Sequence, residues 1–214
     1  MIPKEIIKQF CDQCYTIRAL YKEYIFLYES DNKERLDLLN KTARDFFHNL
    51  QGILIDRIFL GICKITDPAG SGERSNLTIK YILNDIKKDS KKKLGLDDLS
   101  DEIHKFREFI VDARHKIIVH SDFGTIKSNK TLGSFSKCDN DEFWKNLQEL
   151  VNKIHIHYFE SPFIFDDIVD CTSNAKDLVL ALKKAAYFDQ HFKKFPHFKL
   201  LKEENFKYRI EMLK

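Results

Sequence analysis

The stretch FFHNLQGILIDRIFLGICKI, Phe46–Ile65, decides the fold class of this chain. Its apolar residues recur every three or four positions, which is the spacing of one face of an α-helix. That face carries Phe47, Leu50, Leu54, Ile58, Gly61 and Ile65. Apolar residues also lie outside it, as at Phe46 and Ile53. Because a helix that is apolar around most of its circumference needs neighbours on several sides, the stretch predicts a helix of about 34–66 at the centre of a bundle.

The rest of the 214-residue chain also favours helices. Hydrophobic residues make up 43% and charged residues 32%, so the chain can bury a core. Only 7 Gly and 4 Pro interrupt it, which disfavours a turn-rich β architecture. Helical spacing recurs over about 4–29, 77–88, 101–120, 141–160 and 173–194. We therefore predict an all-α protein, with an up-and-down helical bundle over 1–160 and a helical extension over 161–214.

Polar residues mark the ends of these helices. Ser100 and Asn140 stand just before two of them and are the predicted N-caps. The sequence DPAGSGERSN, 67–76, is predicted as a loop, and it lacks the Gly-Lys-Ser/Thr ending of a phosphate-binding P-loop. The stretch 122–140 is predicted as a loop or a frayed hairpin.

Charge and cysteine content narrow the class of protein. A net charge of +3 is weaker than the basic footprint of most dedicated nucleic-acid binders. No apolar run approaches the roughly 20 residues that span a bilayer, so we expect a cytoplasmic protein without membrane contact. Cys11 and Cys14 form a Cys-x-x-Cys, which is either half a zinc site or redox pair, or two core residues of the first helix. Without a second such pair we favour core residues, and we expect no cofactor and no metal.

The candidate functional residues lie in ARHKIIVHSD, Ala113–Asp122. The core-facing stripe of the helix 101–120 leads to His120 and is formed by Ile103, Phe106, Ile110, Ala113 and Ile117. A second stripe beside it contains Val111, Arg114 and Ile118. Both faces are thus apolar near the end that carries Arg114 and His120. This predicts either deep burial in the bundle or contact with another subunit.

Two interpretations of Arg114 and His120 remain open from spacing alone. On an ideal helix the two residues lie about 9 Å apart along the axis and about 120° apart around it, so they do not share one face. They could be structural, with His120 hydrogen-bonded near the helix end and Arg114 paired with a carboxylate. Alternatively they converge on one ligand in a cleft to which two symmetry-related subunits contribute.

The segment resembles the Arg–x(4–6)–His signature of the HEPN superfamily, helical bundles named for higher eukaryotes and prokaryotes nucleotide-binding. Arg114 is followed by the polar His115, and five residues separate Arg114 from His120. The following Ser121 and Asp122 are similar to the ending of the motif in the abortive-infection U-type branch. That branch also has a long apolar helix that ends in a loop such as ITDPA, 65–69 here. The resemblance covers roughly 1–160.

The resemblance implies a metal-independent endoribonuclease in which two subunits share one cleft. His120 would act as general base or acid, because histidine side chains ordinarily have a pKa near neutrality. Arg114 would hold the phosphate with a permanently charged fork of donors. His115 would orient the RNA, and Asp122 would set a histidine tautomer. The implied partners are RNA, a second copy of the chain, and an antitoxin or a nucleotidyltransferase-type protein. The alternative to a ribonuclease is a non-catalytic HEPN bundle that binds a nucleotide, RNA or a partner protein.

Two other groups of polar residues are candidates for ligand binding. The densest basic run consists of Lys87, Lys88, Lys91, Lys92 and Lys93. These side chains could contact an RNA backbone or could simply be exposed to solvent. His155 and His157 would point some 200° apart on a helix, which disfavours shared metal binding. One of them is therefore predicted to face solvent.

Overall fold

The computed structural model describes residues 2–29, 33–71, 74–113, 135–165 and 174–192. Seven helices lie in these ranges: α1 (Lys4–Tyr28), α2 (Lys33–Thr66), α3 (Ile79–Asp85), α4 (Lys88–Leu94), α5 (Leu96–Ala113), α6 (Lys137–Phe159) and α7 (Ala175–Phe192). The predicted all-α class is confirmed. The strands in the described ranges are β1 (Gly70–Ser71) and β2 (Arg74–Ser75). These two short strands pair with each other in antiparallel orientation inside the predicted loop 67–76.

The larger of two apolar cores joins α1, the second half of α2, α3, α5 and α6. The predicted inner face of α6 is confirmed, since its four residues are at most 1% exposed: Phe143, Leu147, Leu150 and Ile154. Cys11, Cys14 and Cys63 are buried in the same core. Burial raises the pKa of Cys11 to about 12 and also raises that of Cys14, so both thiols stay protonated. The prediction that the Cys-x-x-Cys lies in the core is confirmed.

The smaller core places α7 against α1 and the first half of α2. It is formed by Leu27, Leu39, Phe47, Leu54, Ala175 and Val179. The Ala175 N–H also donates to the Glu23 carboxylate at 2.8 Å, which ties the start of α7 to α1. The stretch predicted as an extension thus contains a helix packed on the bundle, and the division at residue 160 stays a prediction.

Helices α1 and α2 are in close contact at Gly61. A Cβ atom built there would lie 2.7 Å from Cγ1 of the buried Ile17. Since real Cβ atoms do not approach another carbon so closely, only glycine fits this contact. This contact packs α1 against the half of α2 that leads to Asp67.

Two features of α2 differ from the prediction. Its backbone is non-helical at Ala43 (φ −160°, ψ 74°), so the predicted single helix has two segments. The Thr42 hydroxyl donates to the Leu38 carbonyl at 2.8 Å just before this point, and such bonds bend helices. Phe46 and Ile53 are 60% and 63% exposed, so the prediction that α2 is surrounded along its length was wrong for this face.

Both predicted N-caps were wrong. Gly95 ends α4 in the left-handed conformation (φ 63°), and α5 begins directly at Leu96, so Ser100 lies inside the helix and is buried. Helix α6 is capped by Ser136, whose hydroxyl accepts from the Asp139 N–H at 3.1 Å while the Asp139 carboxylate accepts from the Ser136 N–H at 2.9 Å. This capping box starts the helix four residues earlier than predicted.

The predicted helix 77–88 was also too long. α3 ends at Asp85, and the basic run forms a separate helix, α4, instead of a helix end followed by a loop.

In α6, His157 is exposed, which confirms that one histidine of the pair faces solvent, while His155 stacks on Phe159 with 4.5 Å between ring centroids. None of the helices in the described part of the chain is long and apolar enough to cross a membrane.

Candidate functional site

The predicted catalytic residues follow directly after the described part of α5. This helix ends at Ala113, and Arg114, His115, His120 and Asp122 lie outside the described residues. The structure therefore gives the helix that leads to the motif and the packing that fixes this helix.

The inner stripe of α5 anchors the motif helix in the core. Ile103, Phe106 and Ile110 are at most 3% exposed, as predicted. The Phe106 ring stacks on Phe143 of α6 at 4.4 Å and packs against Phe135 at 4.8 Å. Aromatic pairs of this kind add about 0.5–1.5 kcal/mol beyond their buried area. Because the stripe continues two turns from Phe106 toward Ala113, packing on α6 determines where the helix end lies.

A second anchor is the ion pair between Arg107 and Asp67. An Nη atom of Arg107 donates to Asp67 Oδ1 at 2.9 Å, and the side chains are only 22% and 19% exposed. Asp67 directly follows α2, whose last residue, Thr66, is buried and donates its hydroxyl to the Ile62 carbonyl at 2.7 Å. The pair thus joins the end of α2 to α5.

This ion pair joins ITDPA to the helix that leads to the Arg114–His120 motif. Asp67 belongs to ITDPA, and Arg107 lies seven residues before Arg114, on the stripe that continues through Val111. Seven residues are almost two full helical turns, so Arg107 and Val111 continue one face of α5 toward its end. The pair sets the rotation of α5 relative to the end of α2.

The family model HEPN AbiU2, described as AbiU2, matches residues 4–178. The chain belongs to the AbiU2 family of HEPN domains. The match confirms the HEPN resemblance, runs from α1 into α7, and relates the protein to abortive infection. No curated protein and no solved structure matches the chain.

The basic run of this AbiU2 chain lies at the other end of the motif helix. Four of its lysines are exposed: Lys87, Lys88, Lys92 and Lys93. Lys91 is half-buried, and its Nζ lies 3.7 Å from Asp97 Oδ1. The run precedes Leu96, and the 18 residues of α5, Leu96–Ala113, span about 25 Å along the axis. The structure therefore does not bring these lysines together with the end of α5.

Asp67 and Arg107 of the AbiU2 chain were not found from the sequence. The sequence does mark Arg107 as unusual, because this cation lies on the stripe with Val111 and Arg114, next to the core-facing stripe of the helix. Its partner is 40 residues away and follows a helix end, and neither spacing nor composition pairs the two. Within the described residues, no group of three or more His, Cys, Asp or Glu side chains is arranged to hold a metal ion.

Proposed function

We propose that the chain is a metal-independent endoribonuclease of HEPN type that acts in prokaryotic defence, as part of an abortive-infection or toxin–antitoxin system. The observation that carries the proposal is the AbiU2 match over residues 4–178, because it spans the Arg114–His120 motif. The anchoring of α5 by Arg107 and by the Phe106 stripe supports it, since a catalytic motif needs a rigid helix to position it.

The proposed reaction needs only groups that this chain can supply. The ribose 2′-hydroxyl attacks the adjacent phosphorus, the bond from phosphorus to the 5′-oxygen breaks, and a 2′,3′-cyclic phosphate and a 5′-hydroxyl result. His120 accepts the proton of the attacking hydroxyl or donates one to the leaving oxygen. Arg114 stabilises the negative charge that develops on the phosphoryl oxygens.

A homodimer with a shared cleft completes the proposed site. Two copies of His120 allow one imidazole to accept a proton while the other donates one. His115 orients the RNA, and Asp122 holds a histidine in the required tautomer. RNA is the substrate and the cytoplasm is the proposed compartment, with an antitoxin or a nucleotidyltransferase-type protein as partner. The five lysines of the basic run, from Lys87 to Lys93, would contact RNA well away from the scissile phosphate.

A non-catalytic HEPN bundle that binds a nucleotide, RNA or a partner protein is the second candidate. Two observations favour this second candidate. The net charge of the chain is only +3, and the basic run lies before Leu96, at the N-terminal end of α5, whereas the motif follows the C-terminal end at Ala113. A nuclease that grips a long substrate would be expected to concentrate cations near the scissile phosphate.

Substitution of one histidine separates the two functions. Total RNA is incubated without metal with the wild type, with His120→Ala and with His157→Ala, the last being a matched control because His157 is exposed on α6. We expect cleavage by the wild type and the control and none by His120→Ala. Equal cleavage by all three folded proteins would refute the catalytic assignment of His120, and absence of cleavage by the wild type would favour the binding module.

A further inference from the structure

A small aromatic cavity lies between α1, α2, α5 and α6, with a volume of about 130 Å³. Six of its lining side chains are aromatic: Tyr21, Tyr24, Phe59, Phe106, Phe135 and Trp144. Phe106 and Trp144 are buried, whereas Tyr24, Phe59 and Phe135 are half-exposed. The cavity therefore has a buried floor and a rim that solvent reaches.

The volume suits one six-membered ring. An engineered protein cavity of about 150 Å³ with apolar walls binds benzene, so a cavity of this size accepts a single planar ring but not a fused pair of rings. Aromatic walls favour a planar ligand, because stacking on an aromatic side chain contributes to binding any π-system.

The charges nearest the cavity walls disfavour a cationic ligand. None of the described residues that line the cavity is acidic. The Arg18 guanidinium lies 4.9 Å from the ring centroid of Trp144 and 5.6 Å from that of Tyr21. Its positive charge on two of the lining rings disfavours a second cation there and tolerates a ligand that carries a phosphate.

Polar groups in the cavity offer a defined hydrogen bond. The Trp144 indole N–H can only donate, and it donates to Asn140 Oδ1 at 3.2 Å. This fixes the Asn140 amide so that its nitrogen donates to the Tyr21 hydroxyl oxygen. Tyr21 accepts that bond through its oxygen, so its own hydroxyl proton remains to be donated to another acceptor. Burial raises the pKa of Tyr21, so the proton is retained.

We propose that this cavity binds one pyrimidine base of an RNA strand, with the base between the aromatic rings and a base carbonyl accepting from Tyr21. The identity of the ligand as RNA rests on the function proposed above. Phe106 belongs to the motif helix and lies seven residues, about 10 Å, before its described end at Ala113. The cavity would therefore hold a base near the cleaved phosphate and give the enzyme a preference for pyrimidines.

The single tryptophan of the chain reports on occupancy without any need for cleavage. Intact protein is titrated with uridine, cytidine, adenosine and ribose 5-phosphate, and with a short oligouridylate, while the fluorescence of Trp144 is followed. We expect saturable quenching by both pyrimidine nucleosides, none by ribose 5-phosphate, and weaker binding of adenosine. The oligouridylate should bind more tightly than uridine at equal base concentration, since a strand adds phosphate contacts.

Two substitutions on α2 make the test specific. Ile55→Phe fills the cavity from its half-exposed rim and should weaken uridine binding at least about tenfold. Ile53→Phe is the matched control, because Ile53 is 63% exposed and does not line the cavity, and it should bind uridine as the wild type does.

Several results would overturn the proposal. Equal binding of adenosine would refute the single-ring pocket, and binding unchanged in Ile55→Phe would place the base elsewhere. Tighter binding of uridine than of the oligouridylate would refute an RNA base as the ligand. Because the titration measures binding only, loss of the pocket leaves the cleavage result for His120 untouched, and the two proposals fail separately.

Discussion

The ion pair between Arg107 and Asp67 gives the sharpest prediction about the motif helix. A hydrogen bond to a charged group contributes about 1.5–3 kcal/mol to stability. Both side chains are about one-fifth exposed, so water relieves part of the loss when one partner is removed. We therefore expect Asp67→Ala to lower the free energy of unfolding by about 2 kcal/mol. This changes the folding equilibrium constant about 30-fold.

A double-mutant cycle isolates the pair from the other contacts of each residue. Arg107→Ala also removes packing of the side-chain stem, and Asp67 has further interactions, so the single substitutions alone are not decisive. The Arg107→Ala, Asp67→Ala double variant should lose less stability than the sum of the two single variants, by about 1–2 kcal/mol.

Urea unfolding followed by Trp144 fluorescence measures these changes, since Trp144 is in the larger core. Lys105→Ala is the control: it breaks an ion pair with Glu102 on the same helix, but that pair is exposed, and we expect little change. Strictly additive losses in the cycle would show that Arg107 and Asp67 do not hold α5 to the end of α2, and the account of how the motif helix is positioned would be wrong.

Two further predictions concern the fold. Gly52→Ala should stabilise the protein by about 0.5–1 kcal/mol, because Gly52 is an exposed helical glycine with nothing near its Cβ position and alanine has the higher helix propensity. Gly61→Ala should be less stable than Gly52→Ala by about 1–3 kcal/mol, because the new Cβ atom would press on Ile17. Equal thermal shifts for the two variants would contradict the close contact of α1 and α2. Asp85 accepts from the Ile2 N–H at 2.8 Å and from the Tyr158 hydroxyl at 3.0 Å, and these bonds, first the one from Ile2, lower the pKa of its carboxyl. The stabilisation by the ionised Asp85 carboxyl is therefore complete above its unfolded-state pKa of about 3.9 and is lost as the pH falls through the lowered folded-state pKa. The urea midpoints of the wild type and Asp85→Asn should thus converge in acid. A difference between the two midpoints that stays constant with pH would show that the charge of Asp85 does not stabilise the fold.

Local patterns in the sequence predicted most of the helical framework. The apolar spacing identified α1, α2 and the inner faces of α5 and α6, because burial of one face leaves a periodic signal in the chain itself. The errors lie at helix ends. Ser100 and Asn140 have the chemistry of N-caps, but Gly95 and the Ser136–Asp139 capping box determine where α5 and α6 begin.

The features that depend on distant residues could not be predicted. The pairing of Asp67 with Arg107 and the aromatic cavity both bring together helices that are far apart in sequence, and no local pattern encodes which side chains meet. The exposure of Phe46 and Ile53 is of the same kind, since hydrophobicity alone does not tell which face of α2 has a neighbour. The Arg114–His120 motif stays a prediction from a short pattern of residue types, and it lies outside the described residues.

The chemistry of the RNA ends tests the central claim most directly. Wild-type protein is incubated with a defined RNA in the presence of a strong chelator, and the products are analysed by mass spectrometry. If Arg114 and His120 direct attack by the 2′-hydroxyl, the fragments carry 2′,3′-cyclic phosphates and 5′-hydroxyls, and the chelator does not slow their formation. Fragments with 3′-hydroxyl and 5′-phosphate ends, or activity that disappears with the chelator, would contradict the account.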